Sequence, residues 1–451
     1  MVVAGVELKG AKVLVIGLAR SGLAALRLLS AQGAILTACD TMPLAELAGA
    51  AQTLNDAGAA FFAQSPDVAI GQQLVVTSPG VPIDVEPLLR ARAAGIPVIG
   101  EMELAGYFLQ GPNLVITATN GKTTTTAQTG HILTVAGIAN QVGGNIGTPP
   151  ASMVDNSRSN QWNVLEASSF QLETISGFHA RIGVCLNVTQ NHLDRHHTMD
   201  AYISAKGRLF QTQTKDDYAV LNADDAICVR YASMTPARPL WFSLARPVTP
   251  GLWLDTGTIW FDGERMMQAT EIPLRGLHNV ENTLAASAAA RLAGASLDAI
   301  AAGVRTFTGV EHRLEHVRTV GGVDYYNDSK ATTVDAALKA LDTFGGGVWI
   351  ILGGKDKGSD YTPLREPLRE KARAALLIGA AAAKIGAKLE GAVKLVECGT
   401  LDAAVEYACA HASSGDTVLL APACASFDQF QNFEHRGAAF KQLVAQIEER
   451  T

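Results

Sequence analysis

The sequence predicts an α/β protein of three domains, each with a mostly parallel sheet between helices. The chain has 451 residues, which is enough for about three domains of ordinary size. Short apolar runs alternate with alanine-rich and leucine-rich stretches along most of it. Strands that alternate with helices are typical of βαβ units, in which neighbouring strands run parallel. We expect the domains at residues 1–100, 101–309 and 310–451.

The predicted strands are short runs that are apolar almost throughout, which indicates strands buried on both faces. They are KVLVIG, AILTACD, QLVVTSPG and IPVIG in the first domain, NLVITATNGK, WNVLEASS and RIGVCLNVTQNH in the second, and VDYYNDS, GVWIILGG, ALLIGAA, VKLVEC and TVLLAPA in the third. Residues 230–275 are less regular and contain Pro, Gly and Trp. We expect short antiparallel strands there, attached to the central domain.

The composition excludes several classes of protein. With 48% hydrophobic and 18% charged residues, the chain is not a disordered protein. A net charge of −7 gives no support for binding nucleic acid or an anionic membrane. We find no signal peptide and no membrane span. The six cysteines form no C-x-x-C pair, which favours buried, reduced thiols in a cytoplasmic protein over disulfides or zinc ligands.

The first strand–helix turn, GLARSG at 17–22, resembles a dinucleotide-binding fingerprint. Asp40 ends the next strand, near the place of a ribose-binding acid. Ala19 stands where that fingerprint has its middle glycine, which weakens the case for a nicotinamide. Another nucleotide or phosphate group, or a plain tight turn, remains open. SPG at 78–80 ends another strand of the same sheet and favours a ligand.

The segment TATNGKTTTT at 117–126 predicts a phosphate-binding loop. Asn120 and Gly121 suit a sharp bend between a strand and a helix that begins near Lys122. Backbone N–H groups at a helix N-terminus attract phosphate oxygens, and the Thr123 hydroxyl could bind Mg²⁺. Ile116 replaces the first glycine of the common G-x-x-x-x-G-K-[ST] loop. The alternative is a polar helix cap.

Two more strand ends carry candidate metal ligands. Glu166 ends WNVLE, and His192 with Asp194 follows RIGVCLNV. In open α/β sheets ligands collect beyond the carboxyl ends of strands, so these groups could hold a divalent metal beside a triphosphate. HLDRHH itself lacks the second ligand cluster of a zinc site.

The third domain has three polar strand ends: NDSKATT at 327–333, GGKDKG at 353–358 and APACASFDQFQNFEHRG at 421–437. Asp328 and Lys330 suit ribose or phosphate contacts, although helix capping alone could explain the first segment. The lysines of GGKDKG suit carboxylate or phosphate recognition, or a solvated turn. The three-residue spacing of Phe430 and Phe433 is by itself more typical of core residues.

Taken together, the motifs resemble the Mur ligase family, whose members build the peptide stem of peptidoglycan by ATP-driven amide formation. They are TNGKTT, EASSFQLE, NVTQNHLDRH, YISAKGRLF, LHNVENTLAA, FTGVEHRLE, NDSKATT and PACASFDQFQNFEHRG, which span nearly the whole chain. Several are closest to the D-glutamate-adding member. The family has its own phosphate loop, G-T/S-N-G-K-[ST], so a glycine at 116 is not needed. Ala118 replaces the usual first glycine and is tolerated only if its φ is negative.

The resemblance implies a Rossmann-like UDP-binding domain, a P-loop ATPase-like central domain and a Rossmann-like domain that binds the amino acid. It implies ATP contacts by Ala118, Thr119, Asn120, Gly121, Lys122, Thr123, Thr124, Asn282, Arg313, Asp328 and Lys330. It implies that Lys122, Glu166, His192 and Lys206 are catalytic and that two Mg²⁺ ions are held by Thr123, Glu166, His192 and Lys206. Lys206 matches a lysine that the family carries as an N-carbamate; without that, it would be a solvated helix lysine.

The resemblance also implies the substrates: UDP-N-acetylmuramoyl-L-alanine, D-glutamate and ATP. The first would contact Ser21, Asp40, Thr41, Gly80, Asn145 and Gln171, and D-glutamate would contact Thr332, Lys357, Ser426 and Phe433. The expected enzyme is a cytoplasmic monomer without nucleic-acid partners. Alternatives are a neighbouring ligase or a folylpolyglutamate synthase, a dehydrogenase or epimerase acting on a UDP-sugar, and a non-catalytic nucleotide-binding switch.

Overall fold

The computed structural model describes residues 1–47, 49–274, 276–356 and 358–448. Residues Met1–Phe307 form one compact unit, and a second unit begins at Thr308. The first unit contains two of the three large sheets, and the second unit contains the third. All three sheets are mostly parallel and alternate with helices, which confirms the predicted fold class. Within the described residues, no helix is both long and apolar enough to cross a membrane.

The first sheet has five parallel strands in the order β5-β4-β3-β6-β7. Its central strand is fully buried from Val13 to Ile16, as expected for a strand with helices on both faces. Because β3 and β6 are parallel neighbours, the turns that follow them lie beside each other at the carboxyl ends of the strands. The elements are β1 (Val2–Val3), β2 (Val6–Glu7), β3 (Lys12–Ile16), α1 (Arg20–Ala31), β4 (Ile35–Asp40), α2 (Ala50–Ala57), β5 (Ala60–Ala63), β6 (Leu74–Thr77), α3 (Glu86–Ala93) and β7 (Val98–Gly100).

The second sheet has nine strands in the order β16-β15-β14-β13-β12-β11-β8-β10-β9. Its elements are α4 (Glu101–Gly106), β8 (Asn113–Thr117), α5 (Lys122–Val135), β9 (Asn140–Gly144), α6 (Pro150–Met153), β10 (Trp162–Glu166), α7 (Ser169–Leu172), β11 (Ile182–Cys185), α8 (Leu193–His196), α9 (Met199–Gly207), β12 (Tyr218–Asn222), α10 (Ala226–Tyr231), β13 (Arg238–Ser243), β14 (Gly251–Asp255), β15 (Thr258–Phe261), β16 (Glu264–Gln268), α11 (Leu277–Leu292) and α12 (Leu297–Thr306).

The irregular region 230–275 was predicted correctly only in part. β15 and β16 pair antiparallel, as expected. β13 pairs parallel to β12, and β14 pairs parallel to β13, so the antiparallel prediction is wrong for these two contacts. The helix α10 crosses from β12 to β13, and a helical crossover returns the chain to the start of a parallel neighbour.

The third sheet forms in the second unit, with the order β17-β18-β22-β19-β20-β21. Only the β17–β18 hairpin is antiparallel. The turns after β18, β22 and β19 therefore lie side by side. The elements are β17 (Glu315–Val320), β18 (Val323–Asn327), α13 (Val334–Asp342), β19 (Val348–Gly353), α14 (Arg365–Lys371), β20 (Ala372–Ile378), α15 (Ala382–Leu389), β21 (Leu395–Gly399), α16 (Leu401–His411), β22 (Thr417–Leu420) and α17 (Phe433–Ala445).

Candidate active site

The predicted phosphate loop connects β8 to α5 by a left-handed turn at Gly121, where φ is 86°. A Cβ atom on Gly121 would collide with Asn282 Oδ1, so the loop needs glycine there for space as well as for conformation. The same close approach brings Asn282, a predicted ATP contact, against the loop. Ala118 is not among the described residues with positive φ, so alanine is tolerated where the family usually has glycine.

Lys122 begins α5 and folds over the loop. Its Nζ donates to the carbonyl oxygens of Ala118 at 2.8 Å and Thr119 at 2.9 Å. The loop is held from the other side by Asn187, which accepts from the backbone N–H of Thr119 through its carbonyl and of Asn120 through its side chain. Thr123 and Thr124 lie in the first turn of α5, which has no acidic residue. A helix start with a lysine and no carboxylate suits an anion.

Lys206 lies in α9 with only 1% of its surface exposed. The alternative interpretation of Lys206 as a solvated helix lysine is therefore wrong. Its Nζ donates to Ala118 O at 2.7 Å, the same carbonyl oxygen that accepts from Lys122, and is 3.4 Å from Thr117 Oγ1. Burial, and then the positive charge of Lys122, lower the pKa of Lys206 to about 7. A large fraction of this amine is therefore neutral near pH 7.

Glu166, at the end of β10, is buried beside the loop. One carboxylate oxygen accepts from Asn145 Nδ2 at 2.7 Å. The other, Oε2, is buried and has no hydrogen-bond partner in the structure. A buried carboxylate oxygen without a donor is costly unless a cation or water binds it, so the group fits a metal.

The described residues contain no group of three or more His, Cys, Asp or Glu side chains close enough to hold a metal. This pattern still suits Mg²⁺, which usually takes one or two carboxylates together with substrate phosphates and water. Glu166 ends β10, and Thr123 lies in the first turn of the helix that follows the neighbouring parallel strand β8, so both predicted ligands lie at the same end of this sheet.

His192 is exposed and precedes the short helix α8. Its backbone is left-handed, with φ of 53°. Its ring lies 4.9 Å from the ring of Phe170 and 6.4 Å from that of Tyr202, centroid to centroid. Tyr202 in turn lies under Lys206, whose Nζ is 4.8 Å from the ring centroid. Tyr202 thus contributes to the surroundings of both predicted metal ligands, a role that spacing in the sequence did not indicate.

A cavity of about 440 Å³ opens at the ends of the first sheet and brings together all six residues predicted to contact the UDP substrate: Ser21, Asp40, Thr41, Gly80, Asn145 and Gln171. Asp40 accepts from the backbone N–H of Leu18 at 2.7 Å and of Met42 at 3.0 Å, so it also holds the two turns in place. Gln171 is partly engaged in a capping box with Ser168.

Arg20 and Ser78 are among the lining residues that the sequence did not predict. Arg20 lies in the GLARSG turn and its guanidinium donates to Gly147 O. Ser78 lies in the SPG turn and donates to Gly17 O at 2.6 Å. Both residues lie in predicted turns, but their residue types alone do not indicate a defined contact.

In the second unit, the three polar strand ends meet. Ala423 N donates to Ala331 O, and Lys355 N donates to Ala425 O. The buried Arg436 holds two of them together, because its guanidinium donates to Ser329 O at 2.9 Å and to Cys424 O at 3.2 Å. Sequence reasoning did not select Arg436.

The predicted residues of the second unit lie on or near these three strand ends. Burial raises the pKa of Asp328 to about 6, although the charges of Arg313 and Lys330 act in the opposite direction. Ser426 is buried, and Phe433 begins α17 with its ring 6.4 Å from that of His312. Thr332 follows Lys330 in the loop before α13, and Lys357 lies outside the described residues.

Three family descriptions match the chain in succession. They are "Mur ligase MurD-like, N-terminal domain" at residues 11–100, "Mur ligase middle domain" at 116–290 and "Mur ligase, glutamate ligase domain" at 312–424. Together they cover most of the chain.

The chain is similar over nearly its full length to proteins named UDP-N-acetylmuramoylalanine–D-glutamate ligase. The relative from Solibacter usitatus is 58% identical over 98% of this chain and 99% of its own. The relative from Acidobacterium capsulatum is 51% identical over 97% of both chains.

Solved structures share the fold at low identity. The UDP-N-acetylmuramate-alanine ligase of Thermotoga maritima has a TM-score of 0.58 at 17% identity, with 96% of this chain and 99% of that chain covered. A pseudomurein peptide ligase type C from Methanothermus fervidus has a TM-score of 0.55 at 18% identity, over 97% of this chain and 100% of that chain.

Proposed function

The chain belongs to the Mur ligase family, and we propose that it joins D-glutamate to UDP-N-acetylmuramoyl-L-alanine in an ATP-dependent step of peptidoglycan precursor synthesis. Relatives at 58% and 51% identity carry that activity in their names. The observation that supports it most in the molecule is that one unit holds both a phosphate loop and a cavity lined by all six predicted UDP-substrate residues. The enzyme acts as a monomer in the cytoplasm.

In the first step, the γ-phosphoryl group of ATP moves to a carboxylate oxygen of the UDP substrate, and ADP leaves. The product is an acyl phosphate. The residues Ala118 to Thr124 bind the phosphates through the loop and the start of α5, with Asn282 beside Gly121. Lys122 neutralises charge that spreads over the phosphoryl oxygens in the transition state. In the second unit, Arg313, Asp328 and Lys330 contact the nucleotide.

Thr123, Glu166, His192 and Lys206 hold two Mg²⁺ ions in this proposal. The unpartnered Oε2 of Glu166 and the hydroxyl of Thr123 at the helix start are suitable oxygen ligands. When bound, Mg²⁺ neutralises phosphate charge and polarises the phosphoryl group.

Lys206 serves as a ligand after carbamylation. Its neutral amine adds to the carbon of CO2 and releases one proton to solvent, which leaves a carbamate whose single negative charge is shared by two oxygen atoms. The lowered pKa, about 7, supports this step, because only the neutral amine is a nucleophile. Burial beside the loop supports it too, since the hydrogen-bond partners of Lys206 Nζ are the neutral oxygens Ala118 O and Thr117 Oγ1.

In the second step, the amine of D-glutamate attacks the carbonyl carbon of the acyl phosphate, and phosphate leaves. Thr332, Lys357, Ser426 and Phe433 form the D-glutamate site in this proposal. Three of them lie on strand-end segments that the structure brings together in the second unit.

The experiment is phosphate release from ATP in the presence of UDP-N-acetylmuramoyl-L-alanine, with D-glutamate compared with L-glutamate, L-lysine, meso-diaminopimelate and glycine. Release with D-glutamate alone supports the proposal. Release with another amino acid would keep the ligation but overturn the substrate assignment. No release with any of them, in a sample that binds ATP, would overturn the proposed function.

A further inference from the structure

The segment that carries His192 holds two residues with positive φ. His192 has φ of 53° and His197 has φ of 64°, and α8 lies between them. Such conformations are uncommon for residues other than glycine, and they persist where the surrounding structure holds them. The four-residue helix α8 is too short to hold itself, so its side-chain anchors decide where His192 lies.

Glu173 is the anchor of α8. One oxygen of its buried carboxylate lies 2.9 Å from His196 Nδ1, and the other accepts from Arg195 Nη2 at 3.1 Å. The other nitrogen of His196 lies 2.9 Å from Ser169 Oγ, at the start of α7. Two consecutive residues of α8 are thus tied to the two ends of α7.

Arg195 extends this connection to the wall of the UDP-substrate cavity. Its Nη2 also donates to Val81 O at 2.8 Å, and its guanidinium lies 4.9 Å from the centre of the Phe170 ring. Val81 lines the cavity, and a Cβ atom on Gly17 would lie 2.6 Å from Val81 Cγ2. A ligand that presses on the Gly17 turn or on the 78–82 loop therefore acts on the acceptor of Arg195.

A second contact joins the same two loops but is exposed. His197 Nε2 lies 3.6 Å from Asp84 Oδ2, and these side chains are 70% and 61% exposed. The Arg195 and Glu173 side chains are only 11% and 8% exposed. Exposed ion pairs are screened by water and contribute little, so the buried contact is the one that can transmit a change.

We propose that Arg195 and Glu173 are positioning residues that couple occupancy of the UDP-substrate cavity to the placement of His192. The proposal rests on the proposed function, which identifies one site as the UDP-substrate cavity and the other as the metal and ATP site that includes His192. A ligand in the UDP-substrate cavity then changes the affinity for MgADP by some factor. MgADP changes the affinity for that ligand by the same factor, as linkage requires.

The test is calorimetric binding of MgADP with and without saturating UDP-N-acetylglucosamine. This probe carries the nucleotide and sugar but has no muramoyl carboxylate to touch the phosphate loop directly. We expect the probe to tighten MgADP binding about fivefold in the unaltered protein, a typical coupling factor. In Arg195→Met the factor should fall below about twofold. His197→Asn, which changes only the exposed contact with Asp84, should keep the full factor.

Glu173→Gln keeps the side-chain shape and removes the charge, and it should also reduce the factor. If Arg195→Met fails to fold, Glu173→Gln provides the test of the coupling. A factor that is unchanged in the folded variants, or absent from the unaltered protein, would overturn the proposal. The outcome is separate from the proposed function, because this assay contains no acceptor amino acid and no turnover.

Discussion

A buried carboxyl group at the start of α4 makes a quantitative prediction about stability. Glu101 is fully buried; Oε1 accepts from Ala151 N at 2.6 Å, and Oε2 has no hydrogen-bond partner. Burial raises the pKa of Glu101 from 4.5 to about 7, against the opposing effect of the Ala151 hydrogen bond. The folded protein therefore binds more protons than the unfolded chain between these pH values.

The sign of the effect follows from this difference in bound protons. The contribution of Glu101 to stability is fully present below pH 4.5 and is lost as the pH rises through 7. A shift of this size corresponds to about 3 kcal/mol between the two limits. For a unit the size of Met1–Phe307, that equals about 5 °C in Tm.

The perturbation is Glu101→Gln, which keeps an acceptor for Ala151 N and cannot ionise. The assay is thermal unfolding of both proteins from pH 5 to pH 8, with the difference in Tm taken at each pH so that other titrating groups cancel. We expect the Tm of the variant to increase relative to the Tm of the unaltered protein as the pH rises. Parallel curves over this range would refute the reasoning.

Three further predictions concern the site. Lys122→Ala should reduce kcat by about 10³-fold or more, because phosphoryl-group charge loses its neutralising lysine; a normal kcat would remove the phosphate-loop assignment. Lys206→Ala should lose activity and regain part of it with added short carboxylates, and an inactive variant that no acid rescues would contradict a carbamate ligand. Asp40→Ala should raise KM for the UDP substrate about tenfold, because two turns of the cavity lose their acceptor, and should change KM for ATP much less when the UDP substrate is saturating. Equal increases in both KM values would instead indicate a general loss of structure.

Some elements escaped prediction because their patterns are weak. β5 has the sequence AFFA and is largely exposed at the edge of its sheet, and four of the six residues of β17, EHVRTV, are polar in an antiparallel hairpin. β17 lacks the continuous apolar run that marks a buried parallel strand, and the apolar run of β5 is only four residues long. β13 was given the wrong direction because strand direction depends on the connection, and α10 is only six residues long.

The sequence by itself determined the α/β class, the polar strand ends of the candidate site, and the predicted phosphate loop, in which the structure requires glycine at 121. These depend on local order: apolar runs, glycine at a bend and polar residues directly after a strand. Only the tertiary structure decided the burial and the lowered pKa of Lys206, which is 88 positions from the residue whose carbonyl oxygen it contacts. The same holds for Arg195, whose acceptor Val81 is 114 positions away. Burial and charge proximity arise from the packing of distant segments, and these are what lower the pKa of one residue and connect the other to the UDP-substrate cavity.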